Sequence, residues 1–338
     1  MYVITNRRIN QGTGLEVFGD TPNTKGPNEL RLVQVEGSGK DLKVHAMDDK
    51  LDKAEVVKLA SKFNLDINTS DNWYASLKVA CSVFERAQKE SKHVLMYVHG
   101  YNNDMKDILT AAQLLEKTYD VIVIPFSWPA KGGGVGGVTH YLGDKDHARI
   151  SDTALNRAVK KVHFYHGLLT QGMEERARIE CTSKYPDNNE KARLMYSRLI
   201  EKNCQMSVNL LCHSMGNYVL KYAIKPSSSG LRDLVFDNIS LIAADVNNED
   251  HAQWVQHLSV RNRVFVVINE NDGALKWSRR KPGDAQKERL GHYLRNLTAS
   301  NAYYLDVTRS TGVGSEHSYF KGPAVNNNAT LKRVIKQA

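Results

Sequence analysis

The sequence predicts an α/β chain built on a mostly parallel sheet with helices on both faces. Six short apolar runs rich in strand formers recur at 93–98, 119–126, 207–211, 239–244, 264–268 and 302–307. Helical spacing occupies the intervals between them, notably 105–117, 217–224 and 251–258. Runs that are apolar on every residue suit strands buried on both faces, and helices between them supply the crossovers of a parallel sheet. Functional side chains are then expected at the carboxyl ends of the strands.

The first 45 residues differ, alternating apolar and polar positions with turn formers at 10–14 and 19–23. Strands are predicted near the start and at 30–35 and 42–46, as a β-rich extension added to the edge of the main sheet. Two helices follow at 52–63 and 72–89, the second with apolar residues at Ala75, Val79, Val83 and Ala87. We therefore divide the chain into an extension over 1–90, a main domain over 91–325 and a C-terminal tail over 326–338.

One connection is too long. About 80 residues separate the second and third core strands, where a crossover needs only a dozen or so. A glycine-rich loop opens this interval at 131–137 and charged helical sequence follows to about residue 202. It is expected to be a cap or lid inserted at 130–202; a peripheral helical hairpin is the alternative.

Composition narrows the class. With 338 residues, 41% hydrophobic and 25% charged, the chain has the make-up of a globular protein. No stretch reaches the roughly 18–20 uncharged apolar residues of a membrane span. The N-terminal residues lack the apolar region of a signal peptide, so a cytoplasmic location is expected. The four cysteines form no C-x-x-C pair and no disulfide framework, and a structural zinc site is not expected. The net charge of +9 allows peripheral contact with an anionic membrane. No nucleic-acid-binding motif is apparent, and no nucleic-acid partner is expected.

The chemistry is concentrated at Val208-Asn209-Leu210-Leu211-Cys212-His213-Ser214-Met215-Gly216-Asn217. A strand pattern stops at a serine between small residues and a helical pattern resumes, which is the sequence form of a nucleophile elbow. Cys212 stands where the usual G-x-S-x-G pattern has its first glycine, and Gly216 supplies the second. A serine hydroxyl needs a base to take its proton and an acid to orient that base, and in this type of fold they follow in the order Ser, acid, His.

His317 is the candidate base, in a loop after the last predicted strand, with glycines at 312 and 314. The candidate acid is Asp272, after the strand before it; Asp245, one strand earlier, is the alternative. The oxyanion donors are expected to be the amides of Met215, just after the serine, and Tyr101, in the His99-Gly100-Tyr101 loop after the first core strand. Gly100 lets that loop come close, and His99 is expected to be structural. His213 is expected to point away from the chemistry.

The segments Tyr97-Val98-His99-Gly100-Tyr101-Asn102-Asn103, Pro125-Phe126-Ser127-Trp128-Pro129, Cys212-His213-Ser214-Met215-Gly216-Asn217 and Gly314-Ser315-Glu316-His317-Ser318-Tyr319 resemble the α/β-hydrolase superfamily. Within it they are similar to a bacterial branch of unknown function whose members commonly carry an Ala-His-Ser-Met-Gly-Asn elbow. Asn271-Asp272-Gly273-Ala274-Leu275-Lys276-Trp277-Ser278 is similar to a segment of that branch as well. The resemblance spans roughly residues 90–320. It implies an α/β-hydrolase fold and a serine esterase or lipase with no metal or organic cofactor, acting on a small-molecule or lipid ester. An acyltransferase or thioesterase on the same residues, or a silent binding protein with a basic surface, are the alternatives.

Overall fold

The computed structural model describes residues 1–37, 39–130, 137–203, 206–224, 234–280 and 287–338; the glycine-rich stretch 131–136 lies outside the described residues. The chain opens with β1 (Tyr2–Thr5), β2 (Arg7–Ile9), β3 (Phe18–Pro22), β4 (Arg31–Glu36) and β5 (Lys43–Ala46), then α1 (Lys53–Phe63) and α2 (Ala75–Glu90). Next come β6 (His93–Val98), α3 (Met105–Tyr119), β7 (Val121–Ser127), α4 (Gly137–Ile150), α5 (Asp152–Lys184) and α6 (Asn189–Asn203). The third stretch runs β8 (Val208–His213), α7 (Gly216–Ala223), β9 (Phe236–Ile242), α8 (Ala252–Val255), β10 (Val260–Ile268), α9 (Gly273–Ser278) and β11 (Ala302–Asp306). Helices α10 (Pro323–Asn326) and α11 (Ala329–Gln337) end it.

Nine strands form one sheet in the order β11-β10-β9-β8-β6-β7-β1-β4-β5. Pairing is parallel from β11 through to β1 and antiparallel for β1–β4 and β4–β5. The N-terminal strands therefore continue the main sheet through the Ile4–Phe126 register. β2 and β3 make a separate antiparallel pair. β3 occupies most of the 19–23 stretch whose residues are turn formers, because there the chain pairs with Arg7–Ile9 instead of turning.

The two faces follow from alternation along the strands. Met96, Val98, Leu210 and Cys212 belong to one buried cluster with Phe126, Trp128 and Val219. Tyr97, Leu211, Ile242 and Val267 belong to another, with Leu115, Tyr319 and Phe320. Leu331 and Ile335 of α11, four residues apart, join that second cluster, so the C-terminal segment is docked by an amphipathic stripe. Helix α3 starts at a capping box in which Asp104 accepts from the Asp107 N–H and Asp107 accepts from the Asp104 N–H.

Sheet order fixes where a site can form. From β6 the chain steps to β7, then returns across β6 to lay down β8 and continues outward through β9, β10 and β11. The direction reverses between β6 and β8, and a crevice at such a switch point is where ligands bind in open parallel sheets. Gly100 and Ser214 follow the carboxyl ends of these two strands.

The 130–202 interval is helical where it is described. Helix α4 reaches the strand ends through Tyr141, whereas α5 packs along α2 and α7 and pairs with α6. Among the described residues, no helix is long and apolar enough to cross a membrane.

Candidate active site

Ser214 sits at the turn from β8 to α7 with φ 53°, in the left-handed region. A non-glycine residue there costs on the order of 1–3 kcal/mol, and the surrounding structure must hold it. Four hydrogen bonds do. The Ser214 N–H donates to Ile242 O (3.0 Å), and the Asp245 N–H donates to Ser214 O (3.2 Å). The Asn217 side-chain amide donates to both Cys212 O (3.0 Å) and Ser214 O (3.1 Å).

Small neighbours are a steric requirement at this turn. A Cβ on Gly216 would lie 2.5 Å from Val98 O and 2.8 Å from His99 O, both backbone atoms. A Cβ on Gly100 would lie 2.7 Å from Ser214 Cβ. Gly216→Ala is therefore expected to destabilise the fold by about 1–3 kcal/mol, read as a lower urea midpoint at unchanged slope. Cys212 meets the same demand for a modest side chain; it is fully buried, and burial pushes its thiol far up. It keeps its proton and is not a thiolate nucleophile.

His317 and Asp272 are brought together. His317 Nδ1 lies 2.7 Å from Asp272 Oδ2, with the carboxylate fully buried and the imidazole about a quarter exposed. The other oxygen, Oδ1, accepts from the Leu275 N–H at 3.0 Å and caps α9. Asp272 is thus immobilised by one oxygen and orients the imidazole with the other. Asn269 holds the His317 loop by donating to Gly314 O (3.0 Å) and Glu316 O (3.2 Å). The buried Tyr319 and Phe320 anchor the far side.

His213 is not remote from this pair. Its Nε2–H donates to His317 O at 3.1 Å, and the two rings lie 4.7 Å apart. Burial, then the neighbouring His317, drives its pKa well down, so the ring is neutral. The loop that carries His317 folds onto the His213 ring. His213 therefore buttresses the loop that carries the candidate base.

Asp245 is engaged elsewhere. Ser278 Oγ donates to its Oδ1 (2.5 Å), Tyr141 OH donates to its Oδ2 (3.0 Å), and Arg289 Nε stands 3.2 Å from Oδ1. Both members of this ion pair are almost wholly buried. Removing one leaves the other charge uncompensated in a low-dielectric interior. Arg289→Met is accordingly expected to cost about 3–5 kcal/mol, with much of it recovered in the Arg289→Met/Asp245→Asn double variant by urea denaturation.

The two expected oxyanion donors, Met215 and Tyr101, follow the carboxyl ends of β8 and β6. Met215 is the N-cap of α7, and among the described residues no acceptor takes its N–H. The Tyr101 loop is turned by Asn102 at φ 57°, and the Asn103 side chain donates to Tyr101 O at 2.8 Å. His99 is fully buried, stacked on Trp128 at 5.0 Å, and accepts the Trp128 N–H at Nε2 (3.2 Å). The proton must then be on Nδ1, which donates to Gly100 O at 2.9 Å. Burial, and next Arg7, lowers its pKa to about 3, so it is a neutral brace of the Gly100 loop.

That brace reaches the N-terminal segment. Arg7 is buried, donates to Ser127 Oγ (2.8 Å) and Ala130 O (3.1 Å), and burial lowers its pKa to about 10. It therefore ties β2 to the residues flanking Trp128. The sequence singled out neither Arg7, Asn217, Asn269, Tyr141 nor Arg289 as part of the site. Only Asn217 had a local signal, its place three residues after the serine. Among the described residues, no group of three or more His, Cys, Asp or Glu side chains could hold a metal ion.

Comparison with curated proteins and with solved structures gives no match. A family does match, over residues 79–167 and 183–315, a span that includes Gly100, Ser214, Asp245 and Asp272 and stops two residues before His317. The chain belongs to that family, the alpha/beta hydrolases of unknown function (DUF900).

Proposed function

We propose that this alpha/beta hydrolase is a cofactor-independent serine esterase or lipase that cleaves a carboxylic ester through Ser214, His317 and Asp272. The 2.7 Å contact between His317 Nδ1 and Asp272 is the observation that carries the reading. A carboxylate there accepts the Nδ1 proton, leaves the Nε2 lone pair to act as base and stabilises the imidazolium that forms. Ser214 Oγ attacks the ester carbonyl as His317 takes its proton, and the Met215 and Tyr101 amides receive the oxyanion. Collapse returns the proton to the departing alcohol. Water, activated by His317, then releases the acid from the acyl-enzyme.

Asp245 supports the scaffold in this reading, because its oxygens already serve Ser278, Tyr141 and Arg289. The substrate is a small-molecule or lipid ester. We place the enzyme in the cytoplasm, where the free buried thiols of Cys81, Cys181 and Cys212 suit a reducing compartment. Chromogenic esters from acetate to palmitate, with phospholipids alongside, test the activity. Hydrolysis of at least one ester by the wild type is expected, with a chain-length preference that defines the acyl pocket. Inertness toward the whole panel would count against it.

A further inference from the structure

A second cavity, of about 810 Å³, lies where α2 and α5 separate over the sheet. Its volume falls within the roughly 300–1,000 Å³ of small-molecule sites. The floor is apolar: Ile4, Leu32 and Ile124 line it and stay only half-buried, although they stand on inner strands of the sheet. Val94 and Val208 line it too, at the starting ends of β6 and β8. Ser214 follows the opposite end of β8, six residues beyond Val208, a distance of roughly 20 Å along a strand. The cavity is thus separate from the candidate active site.

Its rim is electrically one-sided. Helix α5 contributes Arg157, Lys160 and Lys161, all exposed. Arg157 also donates to the Asn28 carbonyl. Lys161 Nζ lies 5.7–6.0 Å from the ring centres of Tyr74, Phe164 and Tyr165, which draws its stem across the mouth. On the facing wall, Glu29 and Asp49 are both engaged by Arg31, at 2.6 and 3.1 Å, leaving Asp48 as the remaining carboxylate. A ligand that answers both features has an apolar body and one terminal negative charge. A neutral hydrocarbon would offer nothing to the cationic side of the rim, and a phosphorylated sugar would leave the apolar floor uncovered.

We propose that this cavity binds a free fatty acid, its chain on the sheet face and its carboxylate against Arg157, Lys160 and Lys161. The test is fluorescence titration of the full chain with cis-parinaric acid, with palmitate and hexadecanol as competitors. Saturable binding displaced by palmitate is expected. Lys160→Glu/Lys161→Glu should weaken the acid about tenfold and leave displacement by hexadecanol unchanged; both positions are exposed, so the circular dichroism spectrum should not alter. Protein first treated with a long-chain fluorophosphonate should bind the probe as before, whether or not Ser214 reacts.

Three results would overturn the proposal. The wild type fails to bind the probe; the charge reversal weakens acid and alcohol alike or neither; or fluorophosphonate treatment abolishes binding, which puts the chain in the Ser214 crevice. Only the last bears on Ser214, and it would support the proposed catalytic reading while removing this one.

Discussion

Ser214→Ala is expected to lower kcat for the best ester about 10⁶-fold, below detection in most assays. The variant removes one oxygen and nothing that holds the elbow. The bonds that fix the turn use the backbone N–H and C=O of residue 214 and the side chain of Asn217, all of which survive. The positive φ of 53° remains to be borne, as it is by serine. Circular dichroism and the urea midpoint should therefore match the wild type while activity disappears. Activity lost together with stability would mean that Ser214 has only a structural role.

The second large effect is expected from Asp272→Asn, about 10⁴-fold in kcat. Asparagine is as good a helix cap as aspartate, so the bond from the Leu275 N–H, and with it α9, should persist. What changes is the partner of His317 Nδ1. An amide can turn its NH2 toward that nitrogen and hold the imidazole as the tautomer protonated at Nε2, which cannot accept the serine proton. Asp245→Asn is a different case, because Asp245 bonds Ser278 and Tyr141 and pairs with Arg289. Its effect should appear mainly in the denaturation midpoint, with kcat falling far less than in Asp272→Asn. Steady-state kinetics on the two variants separate the roles.

The parts of this molecule that could be seen in the sequence are those with a short-range cause. The run at 93–98 coincides with β6 because, after the exposed His93, it is apolar at every position, as a strand buried on both faces requires. The elbow was visible because the residue that must stay small, Gly216, lies two positions from the serine, although the atoms it would meet belong to Val98 and His99. Helix 251–258 was overestimated, and α8 spans only Ala252–Val255. His251 lies outside it, its ring bonded to Asn248 O and Tyr304 OH.

The sequence put Asp272 ahead of Asp245 only by its place after the strand that precedes the His317 strand, since each follows a core strand. What distinguishes their surroundings comes from distant parts of the chain: Tyr141 and Arg289 engage Asp245, while His317 bonds Asp272. His213 was misplaced for a related reason. Local turn geometry says where its neighbour points but not that the loop 104 residues later folds onto its ring. Arg7 gave no signal either, because a buried arginine looks like any surface arginine until Ser127 and Ala130 surround it.

The most direct test of the central claim is covalent. A fluorophosphonate reacts with a serine that has a working base beside it and is slow toward an ordinary hydroxyl. Intact-mass spectrometry of the treated wild type should show one adduct, peptide mapping should place it on Ser214, and Ser214→Ala should carry none. An adduct on another residue, or equal labelling of the two proteins, would contradict the account.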